Sequence, residues 1–207
     1  MNQLYAVTPV DTAVPSGLDA LEGNVVAVLH SDREIAAPTD RDAVLEFGRT
    51  IQEIARRGPA LPMRFGTTVA DLTELRLLIA EHEEAWSARL AAVGDCCELI
   101  VHLGGSPRTV PRQAVTELSG RDYLMRRAEA VRSHDAVHDE LRAVVRPWLR
   151  EARTLPGARS DRVALLVPRD TATQARARVE RWGADRPDLG LAVTGPWPPF
   201  SFCEAPK

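Results

Sequence analysis

Two histidines at helical spacing are the strongest candidates for metal ligands in the sequence. His134 and His138 lie four residues apart in the run HDAVH, so on a helix both rings face one side and could hold one metal ion. A zinc site also needs a third protein ligand, and no Cys/His cluster elsewhere in the sequence supplies it. Apolar neighbours at helical spacing place His138 on the core face of that helix. The pattern favours structural roles, and we expect neither a metal nor a cofactor.

Three other groups of reactive side chains have structural interpretations. The acidic run at residues 81–84 (EHEE) could carry acid–base chemistry, but it lies opposite an apolar helical stripe and indicates a solvated face. Cys97 and His102 could form a thiol–imidazole pair, but nothing in the sequence activates the thiol. The pair Gly104 and Gly105 lacks the spaced glycines of a phosphate-binding loop. We therefore expect that the protein is not an enzyme.

The composition indicates a globular protein that remains inside the cell. The 207 residues carry a net charge of −3, with 44% apolar and 27% charged residues, which gives no general attraction to nucleic acid or anionic lipid. Three cysteines without disulfide-framework spacing suit a reducing cytoplasm. No apolar stretch approaches the roughly 18 residues that a membrane helix needs, and the N-terminus lacks the features of a signal peptide. We expect a cytoplasmic protein that contacts neither nucleic acid nor membrane.

Strands and helices alternate along the first half of the chain. Two short apolar runs, residues 4–7 and 25–29, are typical of strands. Helices are predicted over residues 41–57 and from Asp71 to Gly94, because each follows an aspartate N-cap and has apolar residues at three- to four-residue spacing. These apolar stripes are Val44, Phe47, Ile51 and Ile54 in the first helix and Leu72, Leu75, Ile79, Trp86, Leu90 and Val93 in the second. The mixture predicts an N-terminal α+β domain over residues 1–94.

The second half of the chain predicts a ferredoxin-like domain over residues 95–207, which includes a linker at 104–118. Strands are predicted at 97–103, 162–167 and 189–194, with a short helix at 171–182. A long helical pattern covers residues 121–153, with Ala152 on its apolar stripe, and Pro147 should kink or end it near Arg146. A fourth, hidden strand would complete a βαββαβ unit. The predicted fold class is α+β, with two small mixed domains and a long helix in the C-terminal one.

Residues 61–67 (LPMRFGT) form an extended apolar stretch that ends in a turn. Phe65 has a large apolar body, and Gly66 permits a backbone turn that other residues resist. Arg64 can bind a carboxylate or backbone carbonyls. The stretch is interpreted either as a strand-to-helix connection with an internal ion pair or as part of a partner-binding surface. Arg64 and Phe65 are candidates for such contact.

Residues 194–202 (TGPWPPFSF) combine three prolines with three aromatic residues. The prolines remove backbone donors, so the chain cannot continue a central strand here. A segment of this kind either packs back over its own sheet or offers a stiff apolar surface to a partner. Packing back is favoured, because three free aromatic side chains would make a soluble monomer adhesive. The partner-binding candidates in this segment are Trp197, Pro198, Pro199, Phe200 and Phe202.

Together these segments resemble the GvpF/GvpL family of gas vesicle accessory proteins. The resemblance runs in order along most of the chain. It is carried by an opening strand with Tyr5, residues 61–67 before a long acidic helix, a strand with Glu98, residues 120–124 (GRDYL), residues 162–167 (RVALLV) and residues 194–202. The sequence is somewhat short for the family, which we attribute mainly to a trimmed linker near residues 104–118.

The resemblance implies a two-domain α+β protein that is needed for gas vesicle formation and associates with the vesicle. It implies contacts with the hydrophobic shell protein and with other accessory proteins, no cofactor, no reaction and no particular oligomeric state. Two alternatives stay open. One is an enzyme or small-ligand-binding protein on a ferredoxin-like scaffold, with a pocket near His134 and His138. The other is an adaptor whose proline-rich segment is bound by another domain.

Overall fold

The chain divides into two compact units in the computed structural model, which describes residues 1–32, 40–104, 120–155 and 161–204. Unit 1 consists of Met1–Glu98 and Trp197–Lys207, and unit 2 consists of Leu99–Pro196. Both contain strands and helices, which confirms the predicted α+β class. The predicted domains, 1–94 and 95–207, differ from these units mainly at the C-terminus. There, residues from Trp197 onward group with the first half of the chain.

Unit 1 is built around an antiparallel sheet. Its strands are β1 (Asn2–Pro9), β2 (Asp19–Glu22), β3 (Val26–Ser31), β4 (Leu61–Pro62) and β5 (Thr68–Val69). The strand order is β2-β3-β1-β4, and β5 also pairs with β1, so β1 and β3 are central strands. Both are buried along nearly their whole length. Since successive side chains of a strand point to opposite faces, burial of every position means that both faces of the sheet are covered.

The first helix, α1 (Arg41–Arg57), confirms the predicted cap and most of the predicted stripe. The Asp40 carboxylate accepts hydrogen bonds from the N–H groups of Asp42 and Ala43, which satisfies two donors that the first helical turn leaves free. Phe47, Ile51 and Ile54 are buried against the sheet. Val44 lies in the first turn of the helix and is 39% exposed. The helix therefore contributes its last three turns to the core.

The second helix, α2 (Leu72–Val93), begins and ends where the sequence predicts. The Asp71 carboxylate accepts hydrogen bonds from the N–H groups of Glu74 and Thr73, and these bonds hold the pKa of Asp71 below its ordinary value. Gly94 ends the helix with a φ of 51°. The buried members of its predicted stripe are Leu75, Ile79, Leu90 and Val93. The helix contacts β1 and β3, so it covers a face of the same sheet.

Unit 2 contains most of a second sheet and two helices. In chain order its elements are β6 (Cys96–Leu103), α3 (Gly120–Val145), β7 (Glu151–Leu155), β8 (Asp161–Pro168), α4 (Ala172–Ala184) and β9 (Leu191–Trp197). The strand order is β7-β8-β6-β9, with β7 antiparallel to β8. This is the βαββαβ element order that a ferredoxin-like unit requires. The ferredoxin-like assignment itself stays a prediction.

The expected fourth strand is β7, in a stretch that the sequence suggested was helical. α3 ends at Val145, as Pro147 predicts, but the helical stripe does not continue to Ala152. Ala152 pairs with Leu165 of β8 instead. The run EARTL consists largely of good helix formers, so pairing with a buried neighbour outweighs its local preference. The predicted linker at 104–118 lies, apart from Gly104, outside the described residues.

Candidate partner-binding site

The LPMRFGT segment (residues 61–67) is a strand and a turn that leads into another strand, and it runs along β1. β4 pairs with β1 at the start of the segment, and β5 pairs with β1 directly after it. Between them the Thr67 N–H donates to the Arg64 carbonyl at 3.1 Å. Gly66 has a φ of 83°, a left-handed conformation that glycine adopts without a steric cost. Both ends thus bind one strand, where the sequence suggested a simple strand-to-helix connection.

Phe65 and Arg64 face different environments at the tip of this segment. The Phe65 ring is half-buried and meets the edge of Phe47 at 5.3 Å between centroids, and Phe47 stacks on Tyr5 at 5.0 Å. The three rings tie the tip to the core of unit 1. Arg64 is exposed, and its guanidinium has no hydrogen-bond or ion-pair partner among the residues that the structure describes. The predicted internal ion pair is therefore not found in that part of the chain.

The aromatic segment (residues 197–203) separates the five predicted contact residues into two groups. Phe202 is fully buried, and Pro198 and Pro199 are buried as well. Trp197 is 38% exposed and Phe200 is 44% exposed. The segment thus does both things that the sequence left open, because one aromatic ring packs inward while two present apolar surface to solvent.

Two buried charged side chains anchor the aromatic segment within unit 1. The Glu98 carboxylate, only 1% exposed, accepts hydrogen bonds from the Ser201 N–H at 2.8 Å and from the Ser201 hydroxyl at 2.7 Å. Arg89, 7% exposed, donates from Nε to the Phe202 carbonyl at 2.5 Å. A buried charge is tolerated only when it is hydrogen-bonded. These contacts therefore specify the backbone position of residues 201 and 202.

The aromatic segment also brings the two most diagnostic stretches of the sequence together. The Cys203 thiol donates to the Pro62 carbonyl at 3.0 Å. A 3-10 helix at Phe200–Phe202 contacts β4, which is the first part of the LPMRFGT segment. Stretches that lie far apart in the sequence are neighbours in unit 1. Glu98, Arg89, Ser201 and Cys203 were not among the predicted site residues, although a carboxylate inside the apolar run CCELIVHL was a signal that it needed a partner.

In unit 2, Arg176 holds the end of β9. Its Nη1 donates to the Gly195 carbonyl at 2.9 Å, and its Nη2 donates to the Val193 carbonyl at 3.4 Å. β9 is the outer strand of its sheet, which explains why the strand can include Pro196. The side chain thus satisfies carbonyls on the strand that leads into Trp197.

One member of the acidic run binds a turn rather than solvent alone. Glu81 and Glu84 are exposed, as predicted. The Glu83 carboxylate instead accepts hydrogen bonds from the N–H groups of Val25 and Asn24 and from the Asn24 side chain. Bonds from Val25 and Asn24 hold the pKa of Glu83 below its ordinary value. An open groove of about 600 Å³ lies beside this contact, lined by Asn24, Val25, Ala80, Glu83, Glu84, Ser87 and Ala88.

The side chains first considered for chemistry have structural surroundings. His138 is buried, with Nδ1 3.4 Å from the Thr154 hydroxyl, and the side chain of His134 lies outside the described part of the chain. Cys97 is buried, and His102 lies 3.3 Å from the Thr194 hydroxyl. Within the four described ranges, no three His, Cys, Asp or Glu side chains cluster as metal ligands would. No helix there is long and apolar enough to cross a bilayer.

Comparison with known families and sequences relates nearly the whole chain to gas vesicle proteins. The family described as gas vesicle synthesis protein GvpL/GvpF matches residues 8–204. Gas vesicle protein L from a Streptomyces species is 27% identical, over 98% of this chain and 92% of that protein. Gas vesicle protein F from the same strain is 25% identical, over 89% of this chain and 86% of that protein.

Solved structures show that the fold is shared as well. The crystal structure of GvpF from Microcystis aeruginosa matches with a TM-score of 0.76 at 13% identity, and 99% of each chain is covered. The GvpF structure from Anabaena sp. PCC7120 matches with a TM-score of 0.75, also at 13% identity, over 100% of this chain and 97% of that one. At this identity the likeness establishes the fold alone.

Proposed function

Because the chain belongs to the gas vesicle synthesis protein GvpL/GvpF family, we propose that it supports gas vesicle formation by binding the hydrophobic shell protein and other accessory proteins. Its role is related to gas vesicles, as the family and the two Streptomyces relatives establish. In the proposed role the protein shields or positions apolar shell subunits before they join the growing wall. It works in the cytoplasm at the forming vesicle and acts by binding rather than by catalysis.

The exposed pair Trp197 and Phe200 is the observation that carries this proposal. Both are more than one-third exposed, while Trp197 ends β9 and the backbone directly after Phe200 is held by the hydrogen bonds of Ser201 and the buried Phe202. Aromatic side chains dominate the energetics of protein interfaces. A backbone that is already ordered loses little conformational freedom on binding. The pair therefore suits recognition of an apolar shell subunit.

Co-purification with the shell protein tests the proposal. In an affinity pull-down, we expect the double variant Trp197→Ala, Phe200→Ala to capture about tenfold less shell protein than wild type, or less still. Exposed aromatic side chains are the anchors of such interfaces. The matched control is Leu77→Ala, which removes a 69% exposed apolar side chain from α2 of the same unit. Circular dichroism establishes that each variant is folded. Undiminished capture by the folded double variant would contradict this binding surface.

A further inference from the structure

The structure brings the LPMRFGT segment and the aromatic segment together, and we propose that they form one binding surface for an apolar segment that carries a carboxylate. Arg64 supplies the cation of this surface, and Trp197 and Phe200 supply its apolar part. Glu98 is a positioning residue that fixes the aromatic segment without touching the partner. The inference rests on the proposed function, since it describes how the same surface recognises its partner.

Proximity is the first step. The Cys203 thiol binds the Pro62 carbonyl at 3.0 Å. Arg64 follows Pro62 by two residues, so their Cα atoms lie no more than about 8 Å apart. Phe200 belongs to the 3-10 helix just before Cys203, about 6 Å along the chain axis. Arg64 and Phe200 therefore lie at the same end of unit 1, within reach of a single bound segment.

Charge is the second step. Arg57, also in unit 1, is paired with Glu53 at 2.7 Å. The exposed guanidinium of Arg64 has no such partner among the residues that the structure describes. A guanidinium offers a planar pair of donors that fits a carboxylate, and the exposed rings of Trp197 and Phe200 favour an apolar chain. The complementary partner is an apolar segment with an Asp or Glu in it.

Fixed presentation is the third step. The Glu98 carboxylate receives both the N–H and the hydroxyl of Ser201, and Ser201 is directly followed by the fully buried Phe202. Phe200 therefore has its orientation set from the C-terminal side by a buried carboxylate on β6. Removing that acceptor loosens residues 200 and 201, although Arg89 still holds the Phe202 carbonyl, and it leaves every residue of the binding surface chemically intact.

Charge variants test the carboxylate. In pull-downs with the shell protein at about 0.05 M salt, we expect Arg64→Gln to reduce capture by about three- to tenfold. The loss should shrink at about 0.5 M salt, where an exposed charge pair is screened. The control is Arg76→Gln, an exposed arginine of α2 that has no hydrogen-bond or ion-pair partner among the described residues. Equal capture by wild type and Arg64→Gln at both salt concentrations would overturn the charge recognition.

A positioning variant tests the shared geometry. We expect Glu98→Ala to raise the hydrogen-exchange rate of the Ser201 amide by at least about tenfold and to weaken shell-protein capture, although Arg64, Trp197 and Phe200 are all retained. Glu98→Gln, whose amide oxygen can still accept the Ser201 N–H, should restore part of both. The control is Glu83→Ala, which frees Asn24 and should change neither readout.

The outcomes separate this inference from the proposed function. If the Trp197→Ala, Phe200→Ala variant loses the shell protein but folded Glu98→Ala and Arg64→Gln bind normally, only the joint surface is wrong. If all of these variants bind normally, the proposed function of the aromatic pair fails as well. Size-exclusion chromatography checks the remaining occupant: a dimer of this chain that Arg64→Gln dissociates would assign the surface to a second copy and overturn the proposal.

Discussion

Residues 61–67 are tied to β1 by backbone hydrogen bonds on both sides of a turn, whereas residues 197–203 are tied to unit 1 mainly by side chains. The Met63 N–H donates to the Tyr5 carbonyl at 2.7 Å, and the Leu4 N–H donates to the Thr67 carbonyl at 2.9 Å. The aromatic segment depends instead on Glu98 and on Arg89. Residues 61–67 therefore belong largely to a sheet, whereas the aromatic segment packs against the β4 strand of that sheet.

This difference in anchoring explains why the two stretches expose their aromatic side chains to different extents. Ladder pairing places Phe65 half inside the core, so most of its apolar surface is used by the fold. Side-chain anchoring lets the backbone leave the strand after Trp197, the last residue of β9, and leaves Phe200 exposed between the buried Pro199 and the buried Phe202. Trp197 and Phe200 of the aromatic segment are therefore exposed, and Arg64 is exposed in the turn between β4 and β5.

Removing the buried ring of the aromatic segment should have the largest effect on the stability of the protein. We expect Phe202→Ala to lower the free energy of unfolding by about 3–5 kcal/mol, since it empties a fully buried aromatic site. Urea unfolding of the purified protein measures this loss. Phe200→Ala is the control, and its cost should stay below about 1 kcal/mol because the ring is partly exposed. An equal loss in the free energy of unfolding for the two variants would contradict the assignment of one buried and one exposed ring in the aromatic segment.

Replacing the turn glycine of the LPMRFGT segment should have a smaller effect on the free energy of unfolding. We expect Gly66→Ala to cost about 1–2 kcal/mol, because its φ of 83° is strained for a residue with a Cβ. Among the described residues, no heavy atom outside the two neighbouring residues lies within 4 Å of the added methyl group, so we expect the cost to come from the backbone alone. Thermal unfolding compared with Gly48→Ala, also without close neighbours but inside α1, isolates that conformational cost. A stabilised Gly66→Ala variant would contradict the assigned turn.

The hydrogen bonds of the Glu83 carboxylate should make the smallest and most pH-dependent contribution to stability. Folding lowers the pKa of Glu83 below 4.5 through bonds from Val25 and Asn24. Its stabilisation is therefore present above about pH 4.5 and is lost as pH falls through the lowered value. Urea unfolding of wild type and Glu83→Gln between about pH 3 and 7 should show curves that converge at the acid end. Parallel curves would mean that the bonds do not persist in solution.

Local signals explain which elements could be predicted. α1 and α2 follow from aspartate caps and apolar stripes, which act within a few residues. β2 (DALE) and β7 (EARTL) carry little strand preference of their own, and each exists because it pairs with a neighbour, β3 or β8. Such pairing is invisible in a single stretch of sequence.

The sequence indicated the aromatic residues of the candidate site, but neither their arrangement nor the residues that hold them. The aromatic and proline content of residues 197–202 indicated a contact segment, and the structure shows which rings are exposed. Nothing in the sequence indicated that Cys203 would reach Pro62, since the two are separated by 141 positions. A buried Glu98 predicts that some donor must meet it, and only the fold identifies Ser201 as that donor.

The return of the chain to unit 1 at Trp197 has a consequence for synthesis. The ribosome synthesises all of Leu99–Pro196 between Glu98 and the aromatic segment. At ordinary elongation rates this synthesis takes on the order of ten seconds. For that interval the nascent chain contains all the residues of the sheet and both helices of unit 1 but not Phe202, so Glu98 and Arg89 lack their bonds to residues 201 and 202. Completion of the first unit is thus timed by translation of the second.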